Sequence, residues 1–353
     1  MKLTFWRYDL ALTHSWAIAT DLRGSSLAGK LNCPVVFVEL EDAAGRCGVG
    51  EASPSSQYAE SWETVCRFLG RIEVNQLSFD DLSSSMNYLT SLPEISKPAL
   101  CAVNIALLDG ASQALRKPLF EFLGLGFPKS GRETSFTIGL DTPEMIERKV
   151  FEARDFGVLK LKLGSTMDRE NLEALRRVSP WVRVRVDANG AWKTKEKALE
   201  QIEWLAAAGQ IEFVEQPMPA SAPLVDQAWL KERSPLTLVA DESYQGLTDA
   251  ERCAVGYHGV NVKLVKTGGI TEGKLALEAA RALGLKTQLG CMIESSVLIT
   301  AAAHLAELAD WLDLDGNILI GNDPYRGVVT DRTGMLRFDS TNLARGLGVE
   351  KVL

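Results

Sequence analysis

The stretch VLKLKLG, Val158–Gly164, decides how the rest of the chain is read. It has the length and apolar content of a buried strand, yet Lys160 and Lys162 lie two apart and so share one face. Two like charges on a buried face are costly unless the strand end opens on water or on groups that need amines. Working outward, short apolar runs of the same kind recur from Thr134 onward: TSFTIGL, VRVRVDANG, IEFVEQP, TLVADES, GVNVKLVKTGG, LKTQLGCM and WLDLDGN. Helical segments such as TPEMIERKVFEARDFG and TEGKLALEAARALG separate them, the second ending on Gly284, where a C-cap glycine belongs. Strand and helix alternating roughly eight times predicts a (β/α) barrel. The competing open doubly wound sheet usually carries a glycine fingerprint after its first strand, and TIGLDTPE has none.

Residues 1–125 do not follow that rhythm. PVVFVELED and GRCGVGEASP predict antiparallel strands with a turn at Ala43–Gly45, and SMNYLTSLP and KPALCAVNIALLDGASQALRKPL predict helices. The expected division is an α+β capping domain over 1–125, a barrel with the functional residues over 126–320, and a segment over 321–353 that returns to the cap. The 353 residues are 46% hydrophobic, ample for such cores, and a net charge of −8 without a Lys/Arg block argues against a nucleic-acid surface. No apolar run is long enough to span a bilayer, and no basic-then-apolar leader opens the chain, so a cytoplasmic protein is expected. Six scattered cysteines without a CxxC pair indicate neither a zinc site nor a disulfide framework, and most are expected to be buried thiols. Only His14, His258 and His304 exist, and no serine sits in a GxSxG elbow, which excludes a His-rich metal site and disfavours a serine triad.

The chemistry gathers at the predicted C-terminal strand ends, where barrels of this type place their functional groups. Three consecutive strands end in Asp187, Glu215 and Asp241. Three converging anions repel strongly unless a cation joins them, and three hard oxygen donors suit Mg²⁺, with Mn²⁺ as a substitute, rather than zinc. Lys160 and Lys162 on one wall and Lys263 across the barrel would flank whatever that ion holds. Amines near a cation and one another are expected to lose protons more easily, which suits a general base.

The same residues carry a resemblance. KxK at Lys160–Lys162, DAN at Asp187–Asn189, EQP at Glu215–Pro217, ADES at Ala240–Ser243 and NVKLVKTGG at Asn261–Gly269 resemble the enolase superfamily, specifically its muconate-lactonising-enzyme subgroup. The resemblance spans essentially the full chain. It implies a modified TIM barrel of the α/β class under an α+β cap completed by the C-terminal tail. It also implies one Mg²⁺ held by Asp187, Glu215 and Asp241, with Lys162 and Lys263 as the acid/base pair. Lys160 would stay charged and help hold the substrate carboxylate. Enolase-type sites that pair a lysine base with Mg²⁺ are a known pattern. Mandelate-racemase-like relatives need a histidine at a late strand end, and none stands there. Lys266 falls one residue out of phase with Lys263 on the same strand period, and is read as structural or solvated.

The reaction shared by that superfamily begins with removal of a proton alpha to a carboxylate. WLDLDGN, Trp311–Asn317, selects among its outcomes, because Asp313 and Asp315 lie two apart and point into one space. In dipeptide epimerases of this subgroup a DxD at this place holds the substrate's α-ammonium. Muconate lactonisation, o-succinylbenzoate synthesis and N-acylamino acid racemisation offer no ammonium there, and stay as alternatives. The resemblance adds Thr137, Cys291 and Ile293 to the dipeptide's path. It places side-chain specificity in the cap loop SWAIATDLRGSSLAGKLN, Ser15–Asn32, with Trp16, Asp21 and Arg23 as the candidates. The expected partner is a small dipeptide, and relatives often form symmetric homo-oligomers.

Overall fold

The computed structural model describes residues 1–23, 26–27, 29–338 and 346–352, with backbone alone over 22–23 and 26–27. The cap is built on a three-stranded antiparallel sheet of β1 (Lys2–Trp16), β2 (Lys30–Glu41) and β3 (Cys47–Ala52), in that order. The turn between β2 and β3 is closed by Asp42, whose carboxylate accepts from Ala44 N and Arg46 N, both at 2.9 Å. Three helices, α1 (Trp62–Leu69), α2 (Leu82–Ser91) and α3 (Lys97–Ala114), cover the sheet. Val36, Val38 and Leu40 of β2 pack under them, while Val35 and Phe37 on the opposite face join the barrel's core. A strand covered on both faces reads as a continuous apolar run, which is why PVVFV shows no alternation.

The barrel's strands are β4 (Phe136–Ile138), β5 (Val158–Lys162), β6 (Arg183–Asp187), β7 (Ile211–Glu215), β8 (Thr237–Ala240), β9 (Gly259–Val262), β10 (Lys286–Gly290) and β11 (Trp311–Asp313). All pair in parallel with their sequence neighbours, and a parallel bridge between Thr134 and Leu312 joins the last strand to the segment before the first. Each strand but the last is followed by a helix: α4 (Pro143–Glu152), α5 (Asp168–Val178), α6 (Lys195–Ala208), α7 (Leu224–Arg233), α8 (Ala250–Gly256), α9 (Ile270–Ala282) and α10 (Ser296–Ala303). After β11 comes only a 3₁₀ turn, Gly316–Ile318. The predicted alternation is therefore realised as eight strands and seven crossovers. Gly284 takes φ +75° just past α9, as its C-cap position requires.

Cap and barrel meet at the strand ends. Glu51 of β3 is buried and accepts from Ser295 N (2.9 Å), Ser295 Oγ (2.5 Å) and Leu298 N (3.2 Å), so it caps α10 from another layer. Ser53 Oγ donates to Ile293 O at 2.9 Å beside it. Two contacts link the tail to the cap: Leu119 N donates to Gly346 O (2.9 Å), and Leu347 N to Asp109 Oδ1 of α3 (2.8 Å). A second part of it, Met335–Arg337, pairs with Arg132–Glu133 at the entry to the barrel. All six cysteines are free, but only Cys101 and Cys253 are buried and Cys47 is exposed, so the expectation of mostly buried thiols is corrected.

Candidate active site

Period-two alternation sends Lys160 and Lys162, Asp187, Glu215, Asn261, Gln288 and Asp313 into the barrel, all of them buried. Parallel register sets Lys162 opposite Asp187 and Asp187 opposite Glu215. Asp241 and Lys263 each stand one residue past their strands, at the same mouth. One carboxylate oxygen from each of Asp187, Glu215 and Asp241 lies within 4.8 Å of the others. Strands two and six of an eight-stranded ring are four steps apart in both directions, so Lys162 and Lys263 face each other across it.

Amines and carboxylates interleave. Lys160 Nζ lies 2.7 Å from Asp313 Oδ2, 2.8 Å from Glu215 Oε2 and 3.3 Å from Asp187 Oδ2. Lys162 Nζ donates to Asp187 Oδ2 at 2.6 Å and Lys263 Nζ to Asp241 Oδ2 at 2.9 Å. Lys266, expected to be structural or solvated, is buried and donates to Asp241 Oδ1 at 2.7 Å. Burial alone favours the neutral amine, but the carboxylates around Lys160 and the Asp241 beside Lys263 outweigh it and push both amines well above the usual lysine range. Among the side chains alone, each of these amines is held protonated by the carboxylates it lies against. Asp241 is held far below the usual carboxylate range, burial being overcome by Lys263 and Lys266. Glu215 is raised by burial and by Asp187, against the pull of Lys160.

The DxD carboxylates have different surroundings. Asp313 also accepts from Ser135 Oγ at 2.7 Å, and Lys160 overcomes its burial to bring it down to about 2. Among the described residues Asp315 accepts only from Thr137 N (2.6 Å) and the Cys291 thiol (3.6 Å), and burial beside Asp313 raises it to about 6. A cavity of about 310 Å³ is lined by Thr137, Lys160, Lys162, Asp241, Lys263, Cys291, Ile293, Asp313 and Asp315. It runs on under the cap to Trp16, Ile18 and Asp21. Asp21 lies 3.7 Å from Lys30 and accepts from Ile18 N at 3.2 Å. The side chain of Arg23 lies outside the described residues.

Residues 144–351 match the family model described as "Enolase C-terminal domain-like". An "L-Ala-D/L-amino acid epimerase" of Pedosphaera parvula is 50% identical over 99% of both chains. The chain belongs to the enolase superfamily, in its dipeptide epimerase family. Among solved structures, a substrate-liganded L-Ala-D/L-Glu epimerase from Bacillus subtilis superposes on this superfamily member with TM-score 0.89, 25% identity and coverage of 100% and 99% of the two chains. A dipeptide epimerase from Enterococcus faecalis complexed with Mg and L-Leu-L-Tyr gives TM-score 0.87 and 28% identity over 99% and 98%. The residues fit a divalent ion: the donors are oxygen only, all three carboxylates are buried, and their neutralisation here takes the ammoniums of Lys160, Lys162, Lys263 and Lys266.

Several participants escaped sequence reading. Lys266 lies on a helical turn, Leu264–Thr267, that starts immediately after Lys263. A spacing of three on a helix restores the phase that a strand would have broken. Asn261 and Gln288 are neutral amides inside the barrel, and their signal was a polar residue in phase with Lys263 and at the centre of LKTQLG. Glu242, next to Asp241, accepts from Asn189 Nδ2 (3.1 Å) and from Gln57 Nε2 of the cap (2.9 Å), a contact that no local pattern encodes.

Proposed function

We propose that this protein is a Mg²⁺-dependent dipeptide epimerase that inverts the α-carbon of the C-terminal residue of its substrate. The observation that carries the reading is the placement of Lys162 and Lys263 on opposite walls of one cavity, with three carboxylates between them. Asp187, Glu215 and Asp241 would hold Mg²⁺, with Mn²⁺ as a substitute. When bound, the metal supplies positive charge against the substrate carboxylate and competes for the anions that otherwise keep the amines protonated. One lysine Nζ removes the α-proton from its face, and the opposite ammonium delivers a proton to the other face. Lys160, kept cationic by Asp313 and Glu215, holds the substrate's carboxylate.

Asp315 supports a dipeptide rather than an N-acylated or purely anionic substrate. The four amines in direct ion pairs lie against Asp187, Glu215, Asp241 and Asp313, and among the described residues Asp315 has only neutral donors. A buried carboxylate with no cation beside it among the described residues, on the wall of the cavity, fits an incoming α-ammonium. Trp16, Ile18 and Asp21 are proposed to face the substrate side chains.

The test is a mass-spectrometric screen of L,L-dipeptides in D₂O with Mg²⁺, which reads α-proton exchange whatever the side chain. Exchange and epimerisation are expected with free-amine dipeptides and not with their N-acetyl forms. Lys162→Ala and Lys263→Ala are each expected to lower epimerisation by about 10³-fold, within the range for a positioned acid or base. Each variant should still exchange the proton of one epimer through its remaining lysine. Full epimerisation by either variant contradicts the assignment.

A further inference from the structure

Asn261 and Gln288 are directly paired residues of β9 and β10, both fully buried and both pointing into the barrel. Asn261 Nδ2 donates to Glu215 Oε1 at 2.8 Å, and Gln288 Nε2 donates to Glu215 Oε2 at 3.0 Å. Each oxygen of one carboxylate is thus held by an amide from a different strand. The orientation of the amides is forced, since an amide oxygen turned toward a carboxylate would repel it. Its consequence is visible: among the described residues, Asn261 Oδ1 and Gln288 Oε1 are buried without partners.

Gly290 supplies an independent sign that the pair is built in. A Cβ at that position would overlap the Asn261 amide, and the residue's backbone is not in the left-handed region. Glycine is present there for space. Gln288 Nε2 also lies 3.5 Å from Asp313 Oδ2, so the same amide sits between Glu215 and the DxD motif.

We infer that Asn261 and Gln288 are positioning residues that fix the plane of the Glu215 carboxylate for metal binding, with Gly290 holding open the space that Asn261 needs. The inference rests on the reading of Glu215 as a metal ligand. Groups that orient a ligand without touching the metal typically change its affinity by about 10–100-fold. An apolar amino acid of similar size removes the donor and keeps the volume.

The experiment is calorimetric titration of Mg²⁺ into the full-length protein without substrate, for Asn261→Leu, Gln288→Met, Gly290→Ala and Glu215→Gln. Circular dichroism and thermal unfolding establish that each variant is folded. About 10–100-fold weaker Mg²⁺ binding is expected for Asn261→Leu and Gln288→Met. Gly290→Ala should also weaken it, although no ligand or donor is altered. Activity of these three should recover at high Mg²⁺, since the ligand is misoriented and not absent, whereas Glu215→Gln should not recover. If Mg²⁺ affinity in Asn261→Leu and Gln288→Met stays within about twofold of the parent while Glu215→Gln loses it, the positioning role is overturned and the metal site stands. If Glu215→Gln keeps full affinity, the ligand assignment itself falls and takes the inference with it.

Discussion

Asp313 and Asp315 are two residues apart and chemically alike, yet one is saturated by Lys160 and Ser135 and the other meets no cation among the described residues. Their substitutions should therefore differ in kind. Asp315→Asn is expected to raise KM for free-amine dipeptides by about 10–100-fold, the worth of a charge-assisted hydrogen bond, with a smaller change in kcat. Asp313→Asn frees Lys160 from its nearest anion and should fall mainly on kcat; steady-state kinetics separate the two. The pH profile follows with a definite sign. A carboxylate raised to about 6 keeps its proton to higher pH, so Asp315 loses its hold on an ammonium as pH drops through that value. The acid limb of kcat/KM should lie near pH 6 and vanish in Asp315→Asn; a limb that survives the substitution belongs to another group. At this scale the sequence was informative where a charged residue interrupts an apolar strand, because burial gives such a residue few innocent explanations. It set Lys266 apart from Lys263 as out of phase because the phase depended on where the strand stops, which is Val262.

The cap sheet and α3 illustrate what an element's pattern does and does not reveal. Of the α3 residues, those from Pro98 to Ser112 are buried without a break, so the helix has no polar face for periodicity to detect. It was legible as the long run KPALCAVNIALLDGASQALRKPL, and the structure adds a Ser96 cap, whereas β1, at the sheet's edge with a mixed burial pattern, gave too weak an alternation to be read. Side-chain volume sets how closely β3 and α3 approach. Cβ atoms at Gly48 or Gly50 would overlap the carbonyl oxygens of Ala106 and Ala102, and neither glycine has a positive φ. The cost of substitution is therefore steric and falls on backbone, which cannot rotate away. Gly50→Ala is expected to lower stability by about 1–3 kcal/mol, measured as a fall in the urea midpoint at unchanged slope. An unchanged midpoint would mean that α3 can shift to admit the methyl group. Because Glu51 follows Gly50 and caps α10, a shifted β3 should also raise KM.

The whole molecule is closed by contacts between segments far apart in the chain, and these no local pattern foretells. His304, at the end of α10, accepts from Phe120 N through Nδ1 (3.1 Å) and meets Leu347 O through Nε2 (2.9 Å). It thus joins the barrel, the end of the cap and the C-terminal tail. With Nδ1 accepting, the ring is neutral and donates from Nε2 to Leu347 O. Burial lowers its pKa from 6.5 to about 4, the Leu347 carbonyl opposing only in part. The unfolded chain then binds a proton between these two values that the folded chain does not, so stability falls as pH drops from 6.5 toward 4. The difference amounts to roughly 3 kcal/mol for a fully buried ring, as an order of magnitude. Glu51 and Glu294, raised by burial to about 7 and about 8, act in the opposite sense over neighbouring pH, since the folded state retains their protons. The raw acid profile of the protein therefore mixes both signs, and only a difference isolates the histidine. Thermal unfolding of the parent and of His304→Gln, compared at each pH from 7 to 4, should show the parent's advantage shrinking steadily through that window. A constant difference would mean that the ring is already protonated in the folded state, with Nδ1 no longer accepting from Phe120 and the tail held by other contacts.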